Sequence, residues 1–281
     1  MSDGRRRTRL RAAMVGGALA LALLGGLAVW SPPGAATRFA AGGPPSATQP
    51  FRGSPAASWA DGAAGIELPE ARAVRGMSES QVADALRRVK EFLVATNLGP
   101  SVFRGENPPP ALYMIESWDG LRAGYQDWLN RPSDERDPLT LFTRFDPDEA
   151  RPVGGTVKTR GKMTFEAGDE PGIVRIRAEY AFVYAMADAM PGRDRVARVV
   201  MRRDMIFEVY DPEEWDTLPG TLSPVQHRYF VSNIDCGAFD GVVHPWFQGG
   251  AADDSGGGVD PYAADLDLAD PSEDCGTLSR T

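Results

Sequence analysis

The chain contains only two cysteines and two histidines among 281 residues, and this scarcity excludes several kinds of site. A structural zinc site needs four ligands, whereas Cys236 and Cys275 are only two and lie far apart. No C-x-x-C pair is present, which argues against a thiol redox centre. The sequence also lacks a G-x-S-x-G elbow, an H-E-x-x-H helix, a Walker loop and a dinucleotide fingerprint. We therefore predict no metal site, no cofactor and no enzymatic activity.

The chain has one long uncharged stretch, residues 12–30, directly after a tail rich in arginine. As a helix it would rise about 28 Å, close to the thickness of a bilayer core. Clustered arginines stay on the cytoplasmic side of a membrane. The pattern predicts a cytoplasmic basic tail over 1–11, a single transmembrane helix over 12–30 as a signal-anchor, and a C-terminal part outside the cell. Cleavage near residues 34–36, which would release a secreted protein, is the alternative.

The charge of the chain is distributed unevenly between the tail and the rest. The formal net charge is −9, and the tail contributes +4, because five arginines face only Asp3, so residues 31–281 carry −13. An acidic region is repelled by phosphate backbones and by anionic headgroups. We therefore expect no nucleic-acid partner, and a domain that contacts the lipid bilayer only through residues 12–30.

The residues after the apolar stretch change from a linker to helical patterns. Residues 31–65 are rich in proline, glycine and alanine, which predicts a disordered linker. Residues 78–81 match a capping box, and an amphipathic helix follows that ends at Gly99. A second helix is predicted over about 111–129, with a break or bend at residues 119–120.

From about residue 156 the apolar period changes to two, which is typical of strands. Alternating patterns predict strands near 157–165, 173–185, 196–210 and 227–234. The order of two helices followed by about four strands predicts an α+β domain over 66–240, with both helices on one face of a curved antiparallel sheet. This element order resembles the cone-shaped nuclear-transport-factor-2-like and cystatin-like domains.

The last 41 residues, 241–281, are rich in glycine and aspartate and predict an irregular acidic tail. Because an exported protein lies in an oxidising compartment, Cys236 and Cys275 predict a disulfide that ties this tail to the end of the last strand. A calcium site is an alternative role for the aspartates, although their spacing matches no EF-hand loop. These residues are Asp253, Asp254, Asp260, Asp265, Asp267 and Asp270.

Three groups of side chains are candidates for chemistry. His244 lies four residues after Asp240, and a histidine beside carboxylates can act as a general base or a metal ligand. We favour the interpretation of residues 243–247 as a hydrophobic clip that covers the sheet. Two acidic groups flank residues 139–145 and could form a carboxylate pair for glycoside hydrolysis, although surface loops explain them better. They are Asp134, Glu135 and Asp137, and Asp146, Asp148 and Glu149.

The third candidate group consists of aromatic residues on the second helix and on the sheet. Such residues mostly fill a core, but a cone-shaped domain can also enclose an apolar pocket between these elements. The pocket-lining candidates are Trp118, Tyr125, Trp128, Tyr180, Phe182, Tyr184 and Phe207.

Four segments and a late cysteine are distinctive in this chain: GIELPEARAV, SESQVADALRRVKEFLVATNL, DCGAFDGVVHPWF and DPYAADL. Together they resemble a group of exported actinobacterial proteins that have a single N-terminal membrane segment. The resemblance covers nearly all of residues 65–276. It implies a high-GC Gram-positive source, export and architecture, and it implies no particular activity.

These observations favour a membrane-tethered, extracytoplasmic interaction or scaffold module of the cell envelope, which binds a protein partner and is not an enzyme. One alternative is a small-ligand binder or enzyme that uses the aromatic pocket. A second alternative is a structural envelope protein that responds to calcium. A filled core with exposed apolar residues would favour the first hypothesis.

Overall fold

A computed structural model of the chain describes residues 44–107, 109–235, 240–247, 260–263 and 268. Its helices are α1 (Glu79–Asn97), α2 (Pro100–Arg104) and α3 (Leu121–Asn130). Its strands are β1 (Ala60–Asp61), β2 (Ala150–Ala167), β3 (Ile173–Asp188), β4 (Val196–Tyr210) and β5 (Ser223–Ser232). Short 3-10 turns lie at Pro55–Ser58, Gly62–Gly65, Pro110–Met114, Trp118–Gly120 and Pro138–Thr140.

The strands form one open antiparallel sheet in which spatial order follows chain order, β1-β2-β3-β4-β5. The prediction of about four strands in a nuclear-transport-factor-2-like or cystatin-like cone is therefore wrong. The additional strand, β1, pairs Ala60 with Thr159 and Asp61 with Lys158. Two residues are too few for an alternating pattern to be visible in the sequence.

The predicted second helix is also wrong in its extent, because the chain from 110 to 130 forms two 3-10 turns before α3. Asp119 has φ 46° and Gly120 has φ 76°. Both angles lie in the left-handed region, which an α-helix cannot accommodate, so α3 begins only at Leu121. By contrast, α1 begins at the expected capping box: the Gln81 amide donates to Ser78 Oγ at 3.3 Å, and the Ser78 amide donates to Gln81 Oε1 at 2.8 Å.

Within the described residues, no helix combines the length and the apolar character needed to cross a bilayer. The tail at 1–11 and the stretch at 12–30 lie outside the described residues. Both cysteines of the predicted disulfide lie outside them as well, and so do all the candidate calcium-binding aspartates except Asp260.

The main core lies between the helices and one face of the sheet. The apolar stripe of α1, which includes Val82, Leu86, Val89 and Phe92, is fully buried against alternate residues of β3 and β4. The Phe92 ring meets the Phe207 ring edge-to-face, with 5.4 Å between their centroids. Burial of each such side chain stabilises the fold by about 1.5–3 kcal/mol, so this face is the main source of stability.

The opposite face of the sheet is covered at one end by residues 44–65, which belong to the predicted disordered linker 31–65. Phe51, Ala56 and Trp59 are buried there, and the far face of the sheet contributes Val153, Ala181, Val183, Ala185 and Val200. Tyr262, from the predicted acidic tail, meets Trp59 edge-to-face at 5.8 Å. Both segments therefore contribute side chains to a second, smaller core.

One cation lies inside the main core. Arg203 on β4 is 1% exposed and donates hydrogen bonds to the side chains of Asn97 and Thr143 and to the carbonyls of Leu139 and Thr140, at 2.7–2.9 Å. Every one of these acceptors is uncharged. Burial lowers the pKa of Arg203 to about 10, so it remains protonated at neutral pH. These bonds join β4 to the end of α1 and to the segment that leads into β2.

Replacement of Trp59 by alanine tests whether residues 44–65 belong to the folded domain. We expect Trp59→Ala to lower the free energy of unfolding by about 3 kcal/mol, because it opens a cavity between Phe51, Tyr262 and the sheet. Urea unfolding measures the change. The control is Tyr113→Ala, at an aromatic residue that is 61% exposed, where we expect less than about 0.5 kcal/mol. Equal, small effects at both positions would contradict this assignment.

Replacement of Arg203 by methionine tests the buried hydrogen bonds. Arg203→Met leaves the carbonyls of Leu139 and Thr140 without this donor, and each orphaned group costs about 1–3 kcal/mol. The oxygens of Asn97 and Thr143 lose one donor each but keep those from Thr143 and Tyr184. We expect a total loss of about 3–5 kcal/mol in urea unfolding. The matched control is Arg87→Met on the exposed face of α1, where only a surface ion pair with Asp84 is lost and the change stays below about 1 kcal/mol. If Arg203→Met lowered the free energy of unfolding no more than Arg87→Met, the acceptors would have found other donors, which would contradict this role.

Candidate functional site

A groove with a volume of about 760 Å³ opens at one end of the sheet. It lies where β2 begins, where the chain turns from β3 to β4, and where the chain continues after β5. Its lining combines charged and aromatic side chains: Glu149, Arg193, Arg195, Asp235, His244, Pro245, Trp246 and Phe247.

Residues 243–247 form one wall of the groove because they pair with neighbouring backbone on two sides. The Val243 amide donates to the Arg144 carbonyl at 2.8 Å, and Ile234 pairs with Pro245 in an antiparallel bridge. Val243 and Pro245 are buried, as a hydrophobic clip requires, whereas Trp246 is 43% exposed. The segment therefore covers the sheet and also presents His244 and Trp246 to the groove.

His244 lies between two carboxylates. Its Nδ1 is 2.6 Å from Glu149 Oε2, and its Nε2 is 3.0 Å from Asp240 Oδ1. Burial lowers the pKa of His244, but the hydrogen bonds to Asp240 and Glu149 raise it by more, so the pKa lies above its ordinary value of 6.5. Both ring nitrogens of His244 are therefore within hydrogen-bond distance of a carboxylate oxygen.

The opposite wall carries two arginines from the turn between β3 and β4. Both contact Asp188: Arg195 Nη2 makes a close ion pair, and Arg193 Nη1 lies 3.5 Å from the same oxygen. The Arg195 guanidinium also lies over the Phe247 ring, 5.9 Å from its centroid. The groove thus combines two arginines with the carboxylates of Glu149 and Asp235 in one lining.

The pocket-lining candidates among the aromatic residues do not line this groove. Tyr180, Phe182, Tyr184 and Phe207 are buried in the main core. Trp118 meets Tyr210 edge-to-face at 4.6 Å. Tyr125 and Trp128 on α3 pack around His227 on β5, and Tyr125 Oη lies 3.0 Å from His227 Nε2. The packing of these aromatic residues is that of a filled core.

The acidic candidates are separated in the structure. Glu149 reaches the groove, while Asp137 accepts a hydrogen bond from Tyr229 at the other end of the segment. Asp260 accepts from the Tyr262 amide at 3.0 Å and so shapes a local turn. In the part of the chain that the structure describes, no three histidine, cysteine or acidic side chains form a group suited to a metal ion.

The second feature is the edge of the sheet at β5. Among the described residues, no backbone group of 226–232 makes a backbone hydrogen bond apart from those to β4. The start of β5 is irregular, because Phe207 pairs with Pro224 and Ile206 with Gln226, so Val225 forms a bulge. Beyond that bulge the edge is regular over seven residues, QHRYFVS, which carry a single full charge.

The other edge of the sheet differs, because β2 carries the features that prevent pairing with a further strand. Its pairing with β3 shifts between Pro152 and Val157, where Gly154 and Gly155 both have positive φ. Arg151, Arg160 and Lys162 are exposed along it, and β1 covers Thr159. Bulges, proline and charged side chains protect natural sheet edges from pairing. Residues 226–232 have little of this protection.

Comparison with protein-family models, with curated proteins and with solved structures found no match. The resemblance to exported actinobacterial proteins therefore stays a prediction. Sequence reasoning identified His244 and Asp240 as neighbours, but it missed Glu149 as a partner, and it missed both arginines of the groove. The signal at Glu149 was weak, because it lies 95 residues before His244.

The pKa values of the two histidines should be shifted in opposite directions from the ordinary value of 6.5. We expect the pKa of His244 to lie above 6.5, and that of His227 to lie below 6.5, because burial and the charge of Arg203 lower it. Ring C–H chemical shifts against pH give both values, and His244→Gln and His227→Gln assign the two signals. A His244 signal that titrates below pH 6.5 would contradict the two-carboxylate arrangement.

The same shifts set the sign of the pH dependence of stability. The raised pKa of His244 stabilises the fold fully below about pH 6.5, and this contribution is lost as pH rises through the folded pKa. The lowered pKa of His227 has the opposite effect on stability. Its neutral form is favoured in the folded state, so the free energy of unfolding decreases as the pH drops below about 6.5. His244→Gln should therefore cost more stability at pH 5.5 than at pH 8.5, by about 1 kcal/mol or less, since both carboxylates are half exposed.

Proposed function

We propose that this protein is a binding module of the cell envelope, anchored in the cell membrane through residues 12–30 with its N-terminus in the cytoplasm, and that it holds a partner protein outside the membrane. The observation that carries the proposal is the open edge of β5. An extended segment of the partner adds to this edge as a further antiparallel or parallel strand. The activity is recruitment and not catalysis.

The edge supports strand addition because its backbone is regular and, within the described residues, makes backbone hydrogen bonds only to β4. Seven consecutive residues, 226–232, follow the register of β4 without a bulge. Main-chain hydrogen bonds give such complexes affinity, and alternate side chains of the added strand give them specificity. The edge at β2 carries a bulge and charged side chains that prevent pairing with a further strand. The two edges of this sheet therefore differ in how well they accept an added strand.

Exposed apolar side chains flank the same edge. Val225, at the bulge, is 50% exposed, and Trp246 lies at the other end, where its amide donates to the Asn233 carbonyl at 3.0 Å. Either side chain alone would not indicate a binding site, since single apolar residues are common on protein surfaces. Their positions at both ends of an open edge are suited to anchoring a bound strand.

The ionic groups of the groove also support binding over catalysis. His244 has both ring nitrogens engaged, and Arg195 and Arg193 both contact Asp188. A general base needs a lone pair free to meet the substrate, and both nitrogens of His244 already face carboxylate oxygens. These contacts suit a rigid surface better than a proton-transfer site.

Photo-crosslinking from defined positions tests the proposed edge. A photoreactive amino acid replaces Val225 or Arg228 on β5 in the full-length protein in its native membranes. Because a strand added to β5 lies within reach of both positions, we expect both to give the same discrete adduct. Mass spectrometry of the adduct identifies the partner and the segment that is crosslinked.

The matched control positions are Lys162 on the β2 edge and Arg87 on α1, which are both exposed. We expect no adduct from either. Adducts of equal yield at all four positions would indicate nonspecific collisions, and the absence of an adduct at β5 would contradict strand addition.

A further inference from the structure

We propose that the groove beside Trp246 binds a neutral saccharide chain of the cell envelope. This inference goes beyond partner recruitment, because it rests on the side chains of the groove and not on the open edge of β5. The ligand class is an uncharged, polyhydroxylated ring or a short run of such rings.

The charges of the groove select against an ionic ligand. Arg193 and Arg195 provide positive charge, while Glu149 and Asp235 provide negative charge in the same lining. Asp188 and Asp240 add further negative charge immediately behind the arginines and the histidine. The carboxylates repel a bound anion, and the guanidinium groups repel a bound cation. Electrostatic repulsion therefore weakens the binding of either kind of ion.

A neutral polyol avoids that cost and uses both kinds of group. Each hydroxyl both donates and accepts, so it can donate to Glu149 or Asp235 and accept from an arginine N–H. Hydrogen bonds to charged groups are stronger than those between neutral groups. Arg195 Nε is buried and has no hydrogen-bond partner among the described residues. The groove is therefore rich in directional polar groups without a dominant charge.

Trp246 supplies the apolar surface that a sugar ring requires. The C–H groups on one face of a pyranose or furanose ring pack on a flat aromatic ring, while the hydroxyls around the ring point to polar neighbours. The Phe247 ring already lies against Arg195, whereas Trp246 is 43% exposed at the rim of the groove. Trp246 is thus the aromatic surface of this groove that is open to a ligand.

The dimensions of the groove fit a chain of sugars. Its volume of about 760 Å³ lies within the range of about 300–1,000 Å³ that is usual for ligand sites. An open groove at the end of the sheet suits a segment of a polymer, which continues into solvent on either side, better than an enclosed monosaccharide.

Titration calorimetry with the full-length protein, in a detergent without a sugar headgroup, tests the proposal. The neutral probes are trisaccharides of N-acetylglucosamine, galactose and arabinose. The charged probes are trimers of glucosamine and of galacturonate. We expect at least one neutral trisaccharide to bind more tightly than both charged trimers, and we expect Trp246→Ala to weaken that binding at least tenfold.

Three variants separate a binding role from a structural one. Trp246→Phe keeps an aromatic face and should retain most of the affinity, and Tyr113→Ala removes an exposed aromatic outside the groove and should leave it unchanged. Arg193→Gln, at an exposed side chain, should weaken binding severalfold without unfolding the protein. Absence of binding by all neutral probes, tighter binding of a charged trimer, or equal effects of Trp246→Ala and Tyr113→Ala would overturn the proposal. None of these outcomes bears on crosslinking at β5.

Discussion

The hydrogen bonds of the buried Arg203 fix the part of the chain on which the groove depends. Arg203 holds the carbonyls of Leu139 and Thr140 and the hydroxyl of Thr143. The chain then passes directly to Phe145, which bridges to Val243, and to Glu149, which meets His244. A buried cation tolerates little displacement, because any lost acceptor leaves an unpaired donor in a region of low dielectric. The position of the groove wall therefore follows from a core interaction and not from the groove itself.

The coverage of the sheet decides where binding surfaces remain. The helices cover one face of the sheet. Residues 44–65 and Tyr262 cover the half of the other face that lies near the end of β3. β3 shows this division within one strand: Arg175 and Arg177 occupy the far face near its start, whereas Ala181, Val183 and Ala185 occupy it near its end. Besides the charged half of the far face, the described residues leave an edge and an end of the sheet uncovered, and the two candidate surfaces lie there.

The sequence predicts the helices and strands in which the spacing of apolar residues stays regular over many residues. α1 was predicted from its capping box and apolar stripe, and β3 and β4 were predicted from their alternation. β1 and residues 44–65 were missed, because two residues show no period and because proline and glycine composition conceals anchors such as Trp59. The apolar Ala181, Val183 and Ala185 carried a readable signal that the second face is covered. The groove could be predicted only in part, since Arg193, Glu149 and His244 come together through contacts distant in sequence.

The open edge and the groove are joined by the three residues that follow β5. Asn233 accepts from the Trp246 amide, Ile234 pairs with Pro245, and the Asp235 amide donates to the His244 carbonyl at 2.8 Å. The wall that presents His244 and Trp246 is thus a continuation of the β5 backbone. The open edge and the groove therefore share one continuous stretch of backbone, and the same hydrogen bonds that follow β5 also hold His244 and Trp246 in the groove wall.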